Sequence, residues 1–444
     1  MVRLRDLGTW VGGNTPSKAN PAYWTEGTVP WVSPKDMKVH EITSSEDRIT
    51  ELALADGRVS MIPAGSVLFV TRSGILSHTV PVAITKLPVT INQDLKALTP
   101  KEGVSPKYVA HAIRGASQRI LRDCAKNGTT VASIETSRLL DFEIPIGGMS
   151  EQLEIVAEIE KQFSRLDEAV ANLQRVKANL KRYKTSVLKD AVEGRLVPTE
   201  AELARREDRT FETGEQLLQR ILAARRKDGG GRGKCQDPGA LDAVLLPALP
   251  VGWTWATYRQ LGDVTTGFTP PTGDAENFGG DIPFFKPTDL DVGENVTVAR
   301  EYLSEKGIAK GRLLKADSVL VTCIGATIGK TGLARVDCAT NQQINAITLS
   351  QDGVIPLFVY HWTVSLAGQA QILDNSSATT LPILNKSKFE ALSVPLPPQA
   401  EQKRIVVEIG RRLSLVRGVE VEVDANLKRA GALRRSTLSR AFSS

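Results

Sequence analysis

GMSEQLEIVAEIEKQF, residues 148–163, and PPQAEQKRIVVEIGRRL, residues 397–413, are two versions of one phrase. Glu151-Gln152 and Glu401-Gln402 open them, and Ile155-Val156 and Ile405-Val406 follow at the same offset. Beyond the first phrase, residues 150–193 contain no Pro or Gly. Apolar residues fall at Val156, Ile159, Phe163, Leu166, Val170, Leu173, Val176, Leu180, Tyr183 and Val187. Steps of three and four, with one slip at Leu173 to Val176, make a heptad seam and predict a long coiled-coil helix. At about 1.5 Å per residue it is on the order of 65 Å long. The second copy carries Val406, Ile409, Leu413, Val416, Val423, Leu427, Ala430 and Leu433 on a comparable seam. Glu420, Gly410, Gly418 and Gly431 interrupt it, so it should be the weaker helix alone. Each helix either packs on its own globular part or pairs with the other. Pairing is favoured, because so long a helix overruns a globular part of about 140 residues, whose radius of gyration is only ~14 Å.

The repetition extends upstream in collinear order. LRDLGTWVGGNTPS (4–17) matches YRQLGDVTTGFTPPT (258–272), and VPWVSPKDM (29–37) matches IPFFKPTDL (282–290). GSVLFVTRSG (65–74) matches DSVLVTCIGA (317–326), and VTINQDLKAL (89–98) matches CATNQQINAI (338–347). FEIPIGGMSEQ (142–152) matches LSVPLPPQAEQ (392–402). One large unit is therefore duplicated, in contrast to a solenoid of short repeats. SVLFV and SVLVT read as buried strands between turn residues. Residues 106–121 and 356–373 read as helices opened by Pro. The fold class is α+β: two mixed α/β globular parts in tandem, with two long helices paired as an antiparallel coiled coil. Residues 214–227 should form a short amphipathic helix, and DGGGRGKCQDPGA (228–240) a flexible linker. Trp253 and Trp255 alternate as in a strand.

The chain has 444 residues and a net charge of +6, a weak tilt toward a polyanionic partner. No run of about 18 apolar residues would span a membrane. Asp6 lies where a signal peptide would be apolar. With four cysteines and no Cys-x-x-Cys pair, a cytoplasmic protein with reduced thiols is expected. His40, His78, His111 and His361 show no metal-ligand spacing, so no metal site is expected.

Catalytic signals are missing. IGATIGKTG (324–332) approaches a phosphate-binding loop, but the first glycine comes one position late, at Gly325. NPAY (20–23) lacks the second Pro of the amino-methyltransferase loop. There is no Gly-x-Ser-x-Gly elbow and no His-Glu-x-x-His. The chain is expected to be a non-enzyme with no catalytic residue. Side chains suited to base edges and phosphates do recur at matched places. In the first half they are Lys35, Thr71, Arg72, Ser73, Asn92, Gln93, Thr129 and Thr130. In the second they are Lys286, Thr322, Thr327, Lys330, Asn341, Gln342, Thr379 and Thr380. Any one of them alone suits a loop hydrogen bond. On the first helix, six acids (151–168) precede six bases (175–189), which suits the helix dipole at least as well as a phosphate-binding stripe.

Two diverged globular parts, each followed by a long helix opening on Glu-Gln, resemble the specificity subunit of type I restriction-modification enzymes. TPSKANPAYW with VPWVSPKDM, SVLVTCIGATIGK, NQQINAI, VPLPPQAEQKRIV, LLQRILAARR and LPVGWTW carry the resemblance along nearly the whole chain. It implies target recognition domains at 1–148 and 251–397 and conserved helices at 149–197 and 398–444. The stretch 198–250 becomes a linker with a short helix. It implies double-stranded DNA as partner, each domain reading one half of an asymmetric bipartite target while the helix pair sets the gap. Two methyltransferase subunits would dock on the helices, with motor-nuclease subunits where present. Those partners would bring S-adenosylmethionine, ATP and Mg; this chain would hold no cofactor. RSGILSHT (72–79) departs from the second half's GATIGKT (325–331), so base-reading residues do not carry over there. The rival readings are a non-catalytic coiled-coil scaffold, a self-contained methyltransferase or nuclease, and the specificity subunit of a two-component restriction enzyme.

Overall fold

A computed structural model of the chain describes residues 1–126, 131–227, 246–309, 311–349, 353–377 and 381–442. The expected linker at 228–240, Thr129, Thr130, Thr379 and Thr380 lie outside these residues. Two compact units emerge: unit 1 is Met1–Val176 with Glu422–Ser444, and unit 2 is Lys177–Val421.

The two units repeat one topology. In unit 1 a five-stranded sheet runs Gly8–Gly12, Leu95–Pro100, Val67–Val70, Val82–Thr85, Glu41–Ile42. A three-stranded sheet runs Asp47–Ile49, Val29–Val32, Thr90–Ile91. Unit 2 repeats the first as Gly262–Thr266, Ile344–Leu349, Val319–Thr322, Thr331–Leu333, with a single parallel bridge, Val296 to Ala334, in the place of the short edge strand. It repeats the second as Glu301–Leu303, Phe278–Phe285, Ala339–Thr340. Even the parallel pairs correspond, Trp31 opposite Thr90 and Phe284 opposite Ala339. The SVLFV and SVLVT strands are wholly buried, as their unbroken apolar runs predict. In each unit a helix opening on Pro covers them. In unit 1 it is the single helix Pro106–Asp123. In unit 2 the expected helix 356–373 is broken into Pro356–Val364 and Leu366–Asp374. Ser365 is the cause: its backbone is extended and its hydroxyl accepts the Gly368 N–H at 3.2 Å, capping a new helix.

Both long helices form, over Met149–Val192 and Gln399–Ala441. The second runs unbroken through Gly410, Gly418 and Gly431. Inside each unit the two helices run antiparallel. In unit 1 Thr437 donates to Gln162 at 3.4 Å and Arg434 pairs with Asp167 while stacking on Phe163. In unit 2 Lys184 pairs at 2.7 Å with Glu420, the charged residue that interrupts the second seam. The seam is buried at Val156, Ile159 and Val187 of the first helix and at Ile409, Val416 and Val423 of the second. Val176, Tyr183 and Leu433 are exposed. The small residues Ala169 and Ala430 leave an apolar groove of about 840 Å³ in unit 1.

The repeated Glu-Gln has a structural meaning. The Ser105 N–H donates to Gln152 Oε1 at 2.9 Å, and Gln152 Nε2 donates to Gly103 O at 3.0 Å and Gly147 O at 2.9 Å. In unit 2 the Ile355 N–H donates to Gln402 Oε1 at 2.9 Å, while Gln402 Nε2 donates to Gly353 O and Pro397 O at 3.4 and 3.0 Å. Each buried glutamine thus ties the start of a long helix to the turn that precedes the Pro-opened helix. Both turns use glycine at positive φ, Gly103 at 80° and Gly353 at 116°. The preceding glutamates have parted ways. Glu151 is exposed, whereas Glu401 is buried, accepting from Trp253 Nε1 at 2.9 Å and the Glu200 N–H at 2.8 Å.

His111 and His361 occupy matched places on the Pro-opened helices, and both are buried. Burial, then Arg114, pulls the His111 imidazole down to about 3; burial, then Arg335, pulls His361 down to about 4. The unfolded chain takes up these protons below about pH 6.5 and the folded chain does not. Stability should therefore fall as pH drops from 6 toward 4, by about 1.4 kcal/mol per pH unit for each histidine. Urea unfolding at pH 6 and pH 5 checks this. An acid loss in His361→Gln equal to that of the parent chain would contradict it.

Among the described residues no helix is long and apolar enough to cross a membrane, and no cluster of His, Cys, Asp or Glu could hold a metal ion. Cys124, Cys323 and Cys338 are buried free thiols.

Candidate nucleic-acid interface

At one end of each SVL strand several loops are bound together by backbone hydrogen bonds. In unit 1 the Thr71 N–H donates to Asp94 O (2.8 Å), Ser73 N–H to Ala132 O (3.1 Å) and Ile134 N–H to Thr71 O (2.8 Å). Asn92 N–H donates to Val32 O and Asn14 N–H to Ile91 O, at 3.0 and 2.9 Å. Unit 2 repeats every bond. Cys323 N–H donates to Gln343 O (2.7 Å), Gly325 N–H to Pro382 O (3.0 Å) and Leu384 N–H to Cys323 O (2.8 Å). Asn341 N–H donates to Phe285 O and Phe268 N–H to Thr340 O, at 3.2 and 2.8 Å. The backbone scaffold is thus duplicated while its side chains differ. Arg72 faces Ile324 in this equivalence, and Ser73 faces Gly325.

The predicted site residues divide by burial. Arg72, Gln93, Thr327 and Gln342 are exposed on these loops, and Ser73 is half-buried. Thr71, Asn92, Thr322 and Asn341 are turned into the fold. Thr71 Oγ1 donates to Asp94 O at 3.1 Å. Asn92 Oδ1 accepts the Asp94 N–H at 3.1 Å, and Asn341 Oδ1 accepts the Gln343 N–H at 3.3 Å; each closes a turn. Thr322 is a strand residue in the place of Val70. Thr71, Asn92 and Asn341 shape the loops, Thr322 is packed into its strand, and none of the four side chains is presented to a ligand.

The three lysines are already paired. Lys35 meets Glu46 at 2.8 Å and Asp47 at 3.0 Å, and hydrogen bonds to these carboxylates raise its ammonium above the usual range. Lys286 pairs with Glu301, and Lys330 with Asp291 at 2.5 Å. Such partly exposed pairs are weak, so a phosphate can compete for the lysines.

Two matched residues escaped the sequence reading. Thr15 Oγ1 donates to Gln93 Oε1, and Thr269 Oγ1 donates to Gln342 Oε1, fixing both exposed amides. The signal was present: the two threonines align in GGNTPS and TGFTPP. Trp31 supports the same loop by donating from Nε1 to Asn14 O at 3.1 Å.

The family described as the type I restriction modification DNA specificity domain matches residues 1–182 and 250–409, one stretch in each repeat. The specificity subunit of the type I restriction enzyme EcoR124I/EcoR124II from Escherichia coli is 44% identical over 158 residues, which are 36% of this chain and 39% of that protein. The Escherichia coli EcoBI specificity subunit is 23% identical over 360 residues, covering 80% of this chain and 69% of that protein. A solved structure from work on complex assembly and conformational transition of the type I R-M system aligns over 99% of this chain and 96% of its own. Its TM-score is 0.66 at 20% identity, a likeness of fold. The family match takes in both repeats and most of the chain, and the chain belongs to the type I restriction-modification DNA specificity family.

Proposed function

We propose that this chain reads DNA for a type I restriction-modification complex and catalyses nothing itself. The observation that carries the reading is the duplicated loop scaffold with unlike side chains. Two equal frames bearing different donors and acceptors suit two different half-sites, hence an asymmetric bipartite target. Arg72 is suited to guanine, and Gln93 and Gln342, each held by a threonine, are suited to adenine. Lys35, Lys286 and Lys330 would exchange their carboxylates for phosphates, and Ser73 and Thr327 would add polar contacts. Thr129, Thr130, Thr379 and Thr380 remain candidates for phosphate contact. Thr71, Asn92 and Asn341 serve by shaping the loops, and Thr322 by packing in its strand.

In this reading the helix pair sets the distance between half-sites and docks two methyltransferase subunits. Those subunits supply S-adenosylmethionine, and motor-nuclease subunits supply ATP and Mg chemistry. The complex works in the cytoplasm. The test is a methylation map from cells expressing the chain with its cognate methyltransferase. One bipartite motif with an unread gap is expected, and Arg72→Ala should relax one base position in one half-site, by about 1–3 kcal/mol of discrimination. Modification without any motif would favour a scaffold role instead.

A further inference from the structure

Unit 1 holds another concentration of cationic side chains, in a cavity lined by none of the loop residues described above. Its volume is about 720 Å³, and it opens between the helix Pro106–Asp123, residues 144–145 and the end of the second long helix. Arg114, Arg119 and Arg435 line it together with His78, and among the described residues its lining includes no Asp or Glu. An adjoining cavity of about 360 Å³ shares Arg114 but is balanced: Lys107 meets Glu160 at 2.6 Å, and Arg434 meets Asp167.

Arg114 is half-buried, and its Nη2 donates to a neutral partner, Val82 O, at 2.8 Å. Burial, then the nearby Arg434 charge, pulls this guanidinium down to about 10, against an opposing pull from Glu41 on the side of the adjoining cavity. Arg119 is steadied over the Phe142 ring, 5.2 Å from its centroid. The walls are firm. Ser117 Oγ accepts the Val80 N–H at 2.8 Å, and the helices approach so closely that a Cβ on Gly115 would lie 3.0 Å from Leu438 O. Three guanidinium forks around one concave space fit the several acceptor oxygens of a phosphate group.

We propose that this cavity is a phosphate-binding site with Arg114, Arg119 and Arg435 as its ligands. The phosphate belongs either to a free compound or to the backbone of DNA, and neither source depends on the base-reading loops. Calorimetric titration of the full chain with pyrophosphate at low salt tests the site. Arg119 and Arg435 are exposed, so Arg119→Gln and Arg435→Gln keep the fold. Each should weaken pyrophosphate about ten-fold or more. A second arm measures a duplex without the target motif across a salt series. If the phosphate is DNA-borne, each variant lowers the log–log salt slope by about one, and pyrophosphate competes with the duplex. If it is free, duplex binding is unchanged while pyrophosphate binding is weakened. Unchanged pyrophosphate and duplex binding in both variants, with unchanged thermal melts, would overturn the site. A methylation map without a motif would remove the base-reading role and leave the pyrophosphate result standing.

Discussion

Replacing Gln402 with alanine is expected to destabilise unit 2 by about 2–4 kcal/mol, and Gln152→Ala should do the same to unit 1. Each substitution removes three hydrogen bonds at once. It leaves a buried N–H and two carbonyls facing a side chain that cannot answer them, and an unmet buried donor costs more than the net gain of the bond it lost. Gln402→Glu should be at least as harmful, because a carboxylate would accept from Ile355 but oppose Gly353 O and Pro397 O. Hydrogen exchange followed by mass spectrometry is the direct check. Protection should fall first at residues 353–355 in Gln402→Ala and at 103–105 in Gln152→Ala. Full protection at both turns would show that the glutamines are dispensable.

The second large effect concerns the gap between half-sites. The chain passes from unit 1 to unit 2 after Val176 and returns after Val421. Four residues inserted at both places lengthen each helix by ~6 Å while turning it by only about 40° beyond a full turn, which keeps the seams facing. If the helices are the ruler, the unread gap in the methylated motif should grow by one to two base pairs at about 3.4 Å each, with both half-sites unchanged. Insertion in one helix alone slides it past its partner and should abolish modification. An unchanged gap in the double insertion would end the ruler idea.

Much of this architecture was legible because repetition and periodicity are properties of sequence. The heptad steps from Val156 to Val187 needed no tertiary information, and the matched SVL stretches announced the central strands. What could not be read depends on neighbours brought in by folding. Gln152 and Gln402 stood out as repeated letters, but two of the three partners of each lie in a turn some fifty residues upstream. The candidate site was legible as a set of loops and only partly as side chains. Residue type alone cannot say whether Asn92 offers its amide to a base or closes a turn. Arg72 and Asn92 looked equally suitable, and only burial separates them. The break at Ser365 was missed because a serine in an apolar helical pattern is tolerated until its hydroxyl finds the Gly368 N–H.

Unit 1 is a discontinuous body. Leu438 and Phe442 belong to its core, and the Phe442 ring meets Tyr108 edge-on at 5.1 Å. Unit 2 is a single uninterrupted stretch. On the ribosome, therefore, the half that emerges first is finished last. The apolar surface around Tyr108 must wait for the segment 422–442, roughly tens of seconds at ordinary rates of translation, while unit 2 is made and closes. Nascent chains of this protein should present an N-terminal chaperone client whose release is timed by the arrival of its own distal helix.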